Sequence, residues 1–198
     1  MWFAEFLFEM GQFQDGEVEL ERARELDPLS VRISFDLAVN FYWKREFDRA
    51  LEQLQKTISM DPDNSLAFDF LSTVFHKKNM PDQAFTASQK AKTLAVEFSR
   101  EEMADMQKAY EAAGLSGYFR KENELRQKRL AEGKYQSPLN IAMNYAIAGD
   151  DSQALDWLEG AVHEHTPWLP ELKVEPNWDG LRSQPRFIAV LKKIGLEK

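Results

Sequence analysis

The sequence predicts an all-α protein: a right-handed α-solenoid of stacked helix-turn-helix repeats with a C-terminal capping extension. Three observations predict this fold class. Helix-breaking Asp-Pro pairs recur 34 residues apart, at Pro28 and Pro62. Between such breaks, as over Ser30 to Lys44, apolar residues recur with the period of an α-helix. After Thr166 the repeat stops, and a segment rich in proline and tryptophan follows.

The composition excludes several classes of protein. The chain has 198 residues, of which 43% are hydrophobic and 29% charged, so it is too apolar for a disordered tail. Its formal charge of −8 makes direct binding to nucleic acid unexpected, because phosphates repel a negative surface. No cysteine is present, which excludes disulfides and thiolate metal sites. No stretch approaches the ~20 apolar residues that cross a bilayer, so no membrane insertion is expected.

Small and large residues recur at matching places in successive helix pairs. The first helix of a pair carries a small residue and, three positions later, a large one, and the second helix carries another small residue. The small residues of the first helices are Ala4, Ala38, Ser72 and Ala142, the large ones are Leu7, Phe41, Phe75 and Tyr145, and the small residues of the second helices are Gly16, Ala50, Ala84 and Ala154. This pattern resembles the tetratricopeptide repeat, over nearly the whole chain.

The resemblance predicts one array over residues 1–198. Its repeats cover about 1–29, 30–63, 64–97 and 134–167, with a degenerate repeat at 98–133 and a cap at 168–198. In the degenerate repeat, Ser99 and Glu102 form a capping-box signature that starts a helix. Gly114 ends this helix, and a second one, rich in charge, follows to about Glu132. We interpret its basic residues, Arg126 among them, as a solvent-exposed face rather than a phosphate site.

The C-terminal segment is expected to be an ordered cap. A last helix is predicted from Pro185 to about Lys193, closed by Gly195. The stretch from about residue 100 onward resembles the C-terminal part of a group of bacterial tetratricopeptide proteins. In that group the array follows a winged-helix, cyclase or kinase domain. The resemblance suggests the partner-sensing part of a bacterial signalling regulator.

The chemistry of catalysis is missing from the sequence. No phosphate-binding glycine loop, serine nucleophile elbow or zinc-binding His-Glu-x-x-His motif occurs. His163 and His165 lie two residues apart, so on a helix they point in different directions and make a poor metal site. We therefore expect no enzyme activity, no cofactor and no metal.

A binding groove follows from the resemblance. In tetratricopeptide arrays the first helices line a concave groove that binds extended peptides or partner helices. The residues placed there are Arg32, Phe35, Asp36, Val39, Asn40, Tyr42, Trp43, Asp69, Phe70, Thr73, His76, Asn140, Met143 and Asn144. Phe35 and Val39 occupy the places of the carboxylate clamp of chaperone-binding members, so that function is not expected. An alternative places Phe35, Tyr42 and Phe70 partly in the core between repeats.

The leading functional hypothesis is a non-enzymatic protein-interaction scaffold with a protein or peptide partner. An alternative is a small-molecule or peptide sensor domain of a one-component signalling protein, which would need a deep pocket with convergent polar groups. A third is an enzyme whose site is completed by a partner subunit. The expected compartment is the cytoplasm, or the periplasm if the chain belongs to a longer membrane-anchored protein.

The N-terminal helix is unusually apolar. Trp2, Phe3, Phe6 and Phe8 lie within eight residues, although a terminal repeat normally presents a polar outer face. Either a preceding repeat is missing from this chain or another copy covers the face. The sequence therefore predicts self-association through residues 1–13.

Overall fold

The computed structural model describes residues 2–196, except for the side chain of Trp2. Over that range the chain forms ten α-helices and two short 3-10 turns, without a β-strand. It divides into two compact units, Met1–Phe98 and Ser99–Lys198, which are described separately. The predicted all-α fold of helices that pack on their neighbours in sequence is confirmed within each unit.

The first unit contains three helix pairs. Its helices are α1 (Trp2–Glu9), α2 (Phe13–Leu26), α3 (Val31–Trp43), α4 (Phe47–Met60), α5 (Ser65–Lys77) and α6 (Pro81–Leu94). Each helix packs on the next, and α3 also contacts both α1 and α5. The first helices of the three pairs therefore lie side by side, with α3 in the middle.

Proline and cap residues set the ends of these helices. α2 ends at Leu26 and α4 at Met60, just before the two Asp-Pro pairs, because proline cannot donate the amide hydrogen that would continue a helix. The Asn64 side chain then accepts a hydrogen bond of 3.0 Å from the amide of Ala67 and starts α5. The chain is thus broken into short helices that must pack on each other.

Small residues allow the two helices of a pair to approach closely. Ala38, Ala50 and Ala84 are fully buried, and the Ser72 hydroxyl donates a 2.7 Å hydrogen bond to the carbonyl oxygen of Ala84. A Cβ atom at Gly16 would lie only 2.2 Å from the ring of Phe8. The recurring small residues therefore lie at helix contacts, where a larger side chain would clash.

The second unit begins with a helix that reverses direction. α7 (Arg100–Ala131) starts with the predicted capping box, in which Ser99 and Glu102 each bond the other's backbone amide. It breaks at Gly114, whose φ of 62° and ψ of −155° suit only glycine.

Contacts at both ends of α7 show that its two arms form a hairpin. Near the reversal, a Cβ atom at Gly117 would lie 2.4 Å from the carbonyl oxygen of Ala109. At the open end, Arg129 donates a 2.8 Å hydrogen bond to Glu102. The helical hairpin expected at 98–133 is therefore present.

Two charged residues of this hairpin are buried, contrary to the sequence interpretation. Arg126 was expected on a solvent-exposed face, yet the structure buries its side chain together with that of Glu122, and the two form an ion pair with an N–O distance of 2.8 Å. Gln136 accepts a further hydrogen bond of 3.1 Å from Arg126. The pair lies in the interior because the next helix packs on this side of the hairpin.

The remaining elements are one more helix pair and a C-terminal segment that packs on it. They are α8 (Pro138–Ile147), α9 (Asp151–His163), the 3-10 turns Leu169–Lys173 and Pro176–Trp178, and α10 (Pro185–Lys193). Leu172, Trp178 and Phe187 are buried in one cluster with residues of α8 and α9. The Pro- and Trp-rich segment thus covers the apolar side of the last helix pair. Within residues 2–196 no helix is long and apolar enough to span a membrane.

Candidate functional site

The face formed by α1, α3 and α5 carries the exposed residues predicted for the groove of the first unit. Arg32 and Asp69 are exposed, whereas Phe35, Phe70, Thr73 and His76 are half-buried. Because α3 contacts both α1 and α5, these residues belong to one side of the unit. We call this side the A-helix face.

An aromatic pair bridges α3 and α5 on this face. The rings of Phe35 and Phe70 are 5.2 Å apart and nearly perpendicular, at 82°. Beneath them, the fully buried ring of Tyr42 lies 5.8 Å from that of Phe70. Edge-to-face contacts of this kind hold the rings in fixed positions. The half-buried pair is thus a rigid apolar surface rather than a flexible one.

Three of the apolar and aromatic residues predicted to line the groove are buried instead. Val39, Tyr42 and Trp43 are at most 8% exposed and do not line an accessible surface. Tyr42 packs against Phe47 as well as Phe70. The apolar stripe of α3 is wide enough to contact several neighbouring helices, which removes these side chains from the face.

Arg32 joins α1 to α3 through two carboxylates. Its guanidinium group bonds both carboxylate oxygens of Asp36, at 2.7 and 2.9 Å, and it also forms an ion pair with Glu5 of α1. Asp36 is buried, and burial raises the pKa of its carboxyl to about 6 although Arg32 opposes the shift. Asp36 therefore lies under the A-helix face rather than on it.

Two further polar residues of the predicted groove lie in apolar surroundings. Burial lowers the pKa of His76 to about 4, and the neighbouring charge of Lys77 lowers it further. Asn40 is fully buried, one helical turn after Asp36, and its side-chain amide has no hydrogen-bond partner among the described residues. His76 is thus kept neutral at pH 7.

In the second unit, the three predicted groove residues have different surroundings. Asn140 is exposed and Met143 packs against the cap cluster. Asn144 is buried and donates a 3.0 Å hydrogen bond to Asn123, whose own amide donates to the carbonyl oxygen of Ile141. The prediction that Asn144 lines a groove is corrected, because this hydrogen bond holds it between α7 and α8.

The residues predicted for self-association separate into exposed and buried ones. Phe3 and Phe6 are 60% and 53% exposed. Phe8 is instead buried, with its ring 6.2 Å from that of Trp43, so its assignment to an outer surface is corrected. Only one side of α1 can face α2 and α3, and Phe8 is on that side. The side chain of Trp2 lies outside the described residues.

Sequence reasoning missed Glu5 as a neighbour of this face. It lies 27 residues before Arg32, its partner in the ion pair. No local motif connects the two residues. The signal that could have found the pair is the repeat itself, which sets α1 beside α3. Among the described residues, no group of three or more His, Asp or Glu side chains could hold a metal ion.

Comparison with known proteins adds a distant structural similarity. No family model matches this chain, and no curated protein sequence matches it. Among solved structures, it is similar to PilW, described as a widely conserved type IV pilus biogenesis factor. The similarity has a TM-score of 0.45 at 17% identity and covers 82% of this chain and 75% of that one. Similarity at this level carries no argument about function.

Proposed function

We propose that this protein is a non-enzymatic interaction scaffold of the tetratricopeptide type, which binds a peptide or a partner helix on its A-helix face. The observation that carries the proposal is the half-buried Phe35–Phe70 pair, with exposed Arg32 one turn before Phe35 and exposed Asp69 next to Phe70 in sequence. Aromatic residues are enriched at the centre of protein interfaces, and polar and charged residues lie at the rim.

The charge of the face favours a particular class of partner. Of the residues named for this face, Arg32 is positive and Glu5 and Asp69 are negative, whereas Asp36 lies beneath it. Acidic groups therefore outnumber basic ones among these residues. We infer that the partner segment carries an apolar side chain with a lysine or arginine beside it.

The wider role rests on the C-terminal resemblance alone. The stretch from about residue 100 is similar to the end of bacterial regulators, so we infer that the scaffold senses a partner for a signalling protein. The overall charge of −8 favours a protein partner over nucleic acid. Exposed Phe3 and Phe6 support an additional contact with a second copy of the chain.

Selection of peptides against the purified chain tests this proposal. A displayed peptide library should yield sequences with an aromatic or aliphatic residue next to a basic one. Calorimetry with the best peptide should then show weaker binding to Asp69→Asn and to Phe70→Ala. Circular dichroism would establish that both variants remain helical.

The matched control is Asp63→Asn, which removes the same charge from the exposed turn before α5. It should leave the affinity of the peptide unchanged. Equal affinities for Asp69→Asn, Asp63→Asn and the parent chain would remove the A-helix face from the proposal. Enrichment of acidic peptides would contradict the inferred charge of the partner.

A further inference from the structure

The second unit contains a cleft that the proposed scaffold function does not use. It has a volume of about 550 Å³ and lies where α9 and α10 both end. Its lining includes His163, His165, Thr166, Trp168, Leu169 and Lys193. We call it the α9–α10 cleft. Its volume is in the range of sites that hold small organic molecules.

Several side chains of this cleft can donate hydrogen bonds, and the charged one among them is basic. Lys193 donates from an ammonium group, Trp168 from its indole, and the two histidines from their imidazoles. Among the described lining residues there is no aspartate or glutamate, although the whole chain has a charge of −8. A ligand with hydrogen-bond acceptors and a negative charge fits these groups.

The floor of the cleft has an unused hydroxyl. Thr166 is 6% exposed, and its hydroxyl oxygen has no hydrogen-bond partner among the described residues. The Thr166 backbone is held by a 3.0 Å hydrogen bond from its amide to the carbonyl oxygen of Ala161. Buried polar groups without a partner are rare, and a bound molecule or ion can satisfy them.

The wall of the cleft presents a flat apolar surface. Trp168 is 61% exposed, and it has a left-handed backbone conformation with φ of 72°. A positive φ is unfavourable for a bulky residue, and such strained positions cluster at ligand sites. The buried Leu169 follows directly and fixes the chain at this point. The indole is thus held at the surface, where a planar group could stack on it.

We propose that the α9–α10 cleft binds a small organic carboxylate with a flat apolar body. The carboxylate faces Lys193 and the Thr166 hydroxyl, and the apolar body lies on the indole of Trp168. The proposal combines the donor-rich lining, the unpartnered hydroxyl and the exposed ring. It lies entirely within the second unit and does not depend on the A-helix face.

Naphthoate is a suitable probe, and naphthamide is its uncharged match. Calorimetry on the full chain should show saturable binding of naphthoate at millimolar concentration and much weaker binding of naphthamide. Lys193→Gln and Thr166→Val should each lower the affinity for naphthoate by about tenfold, which is the usual effect of losing a hydrogen bond to a charged group. Lys192→Gln is the matched control, since Lys192 is the neighbouring exposed residue and does not line the cleft.

Nuclear magnetic resonance gives a second readout. The indole NH signal that disappears in Trp168→Phe should be among those that shift when naphthoate is added. Without ligand, Thr166→Val should melt no lower than the parent chain, because it removes a hydroxyl that has no partner. A lower melting temperature, equal binding of naphthamide, equal effects of Lys192→Gln and Lys193→Gln, or no saturable binding would each overturn the proposal.

Discussion

Arg32 holds Asp36 through both carboxylate oxygens, and yet the buried carboxyl keeps a pKa of about 6. The ion pair lowers this pKa, but the loss of water around a buried carboxylate raises it by more. The same guanidinium also bonds Glu5, so its charge is shared between two partners. A carboxyl whose neutral form is favoured by folding therefore lies beneath the A-helix face.

Asp36→Asn should change how stability depends on pH. The pKa of Asp36 is about 6 in the folded chain and about 3.9 when unfolded. The stability from this group is fully present below about pH 3.9 and is lost as the pH rises through about 6. Asparagine imitates the neutral acid, so the variant should be more stable than the parent at pH 7.5, by up to about 3 kcal/mol. Urea unfolding over a pH series would measure this gain, which should shrink toward pH 4. A gain that is constant with pH would contradict the pKa shift.

His76→Gln should have the opposite pH signature. The folded pKa of about 4 lies below the unfolded value of about 6.5, so folding favours the neutral imidazole. Stability from His76 is present above about pH 6.5 and is lost as the pH falls toward 4. The glutamine variant should therefore lose less stability on acidification than the parent does. Thermal melts at pH 8 and pH 5 would show it. Identical losses in both proteins would mean that His76 titrates normally.

Replacing both Phe3 and Phe6 by serine should reduce self-association. The two rings are more than half exposed, so the change removes apolar surface from α1 without opening the core. Light scattering at several concentrations should show a larger average mass for the parent than for the double variant. Val96→Ser is a suitable control, because Val96 is 83% exposed in the turn that follows α6. A parent chain that is monomeric at the highest concentration would contradict this prediction.

Gly16→Ala should destabilise the first helix pair. The added methyl group would meet the buried ring of Phe8 at 2.2 Å, and overpacking of this kind costs about 1–3 kcal/mol. Gly160→Ala is the matched control. No atom lies within 4 Å of a Cβ at that position of α9, so alanine should stabilise the helix by about 0.5–1 kcal/mol. Chemical denaturation of both variants would compare them. Equal effects would indicate that α1 and α2 pack differently.

Features that depend on nearby residues were predictable from the sequence. The capping box of Ser99 and Glu102 and the last helix, Pro185–Lys193, occur where they were predicted, since their signals lie within a few residues. The small residues at helix contacts were found because the repeat displays them several times. The hairpin at 98–133 followed from one glycine and one capping box, although the repeat is degenerate there.

Features that depend on distant residues were not predictable. The stripe on α3 showed that Tyr42 is on an apolar side, but its burial depends on where Phe47 and Phe70 lie. Phe8 looked like its neighbours Phe3 and Phe6 until the position of α2 was known. The burial of Arg126 with Glu122 depends on α8, which packs beside them. A charged residue at helical spacing does not reveal which side of the helix will be covered.

Gly114 limits the substitutions that this chain can tolerate. Its backbone angles suit only glycine, and the reversal of α7 depends on it. Every amino-acid replacement that one base change can make in a glycine codon introduces a Cβ atom. No single-base amino-acid replacement at this position is therefore conservative, whereas the exposed Ala112, two residues earlier, can vary. In a mutational scan we expect residue 114 to tolerate synonymous changes and little else.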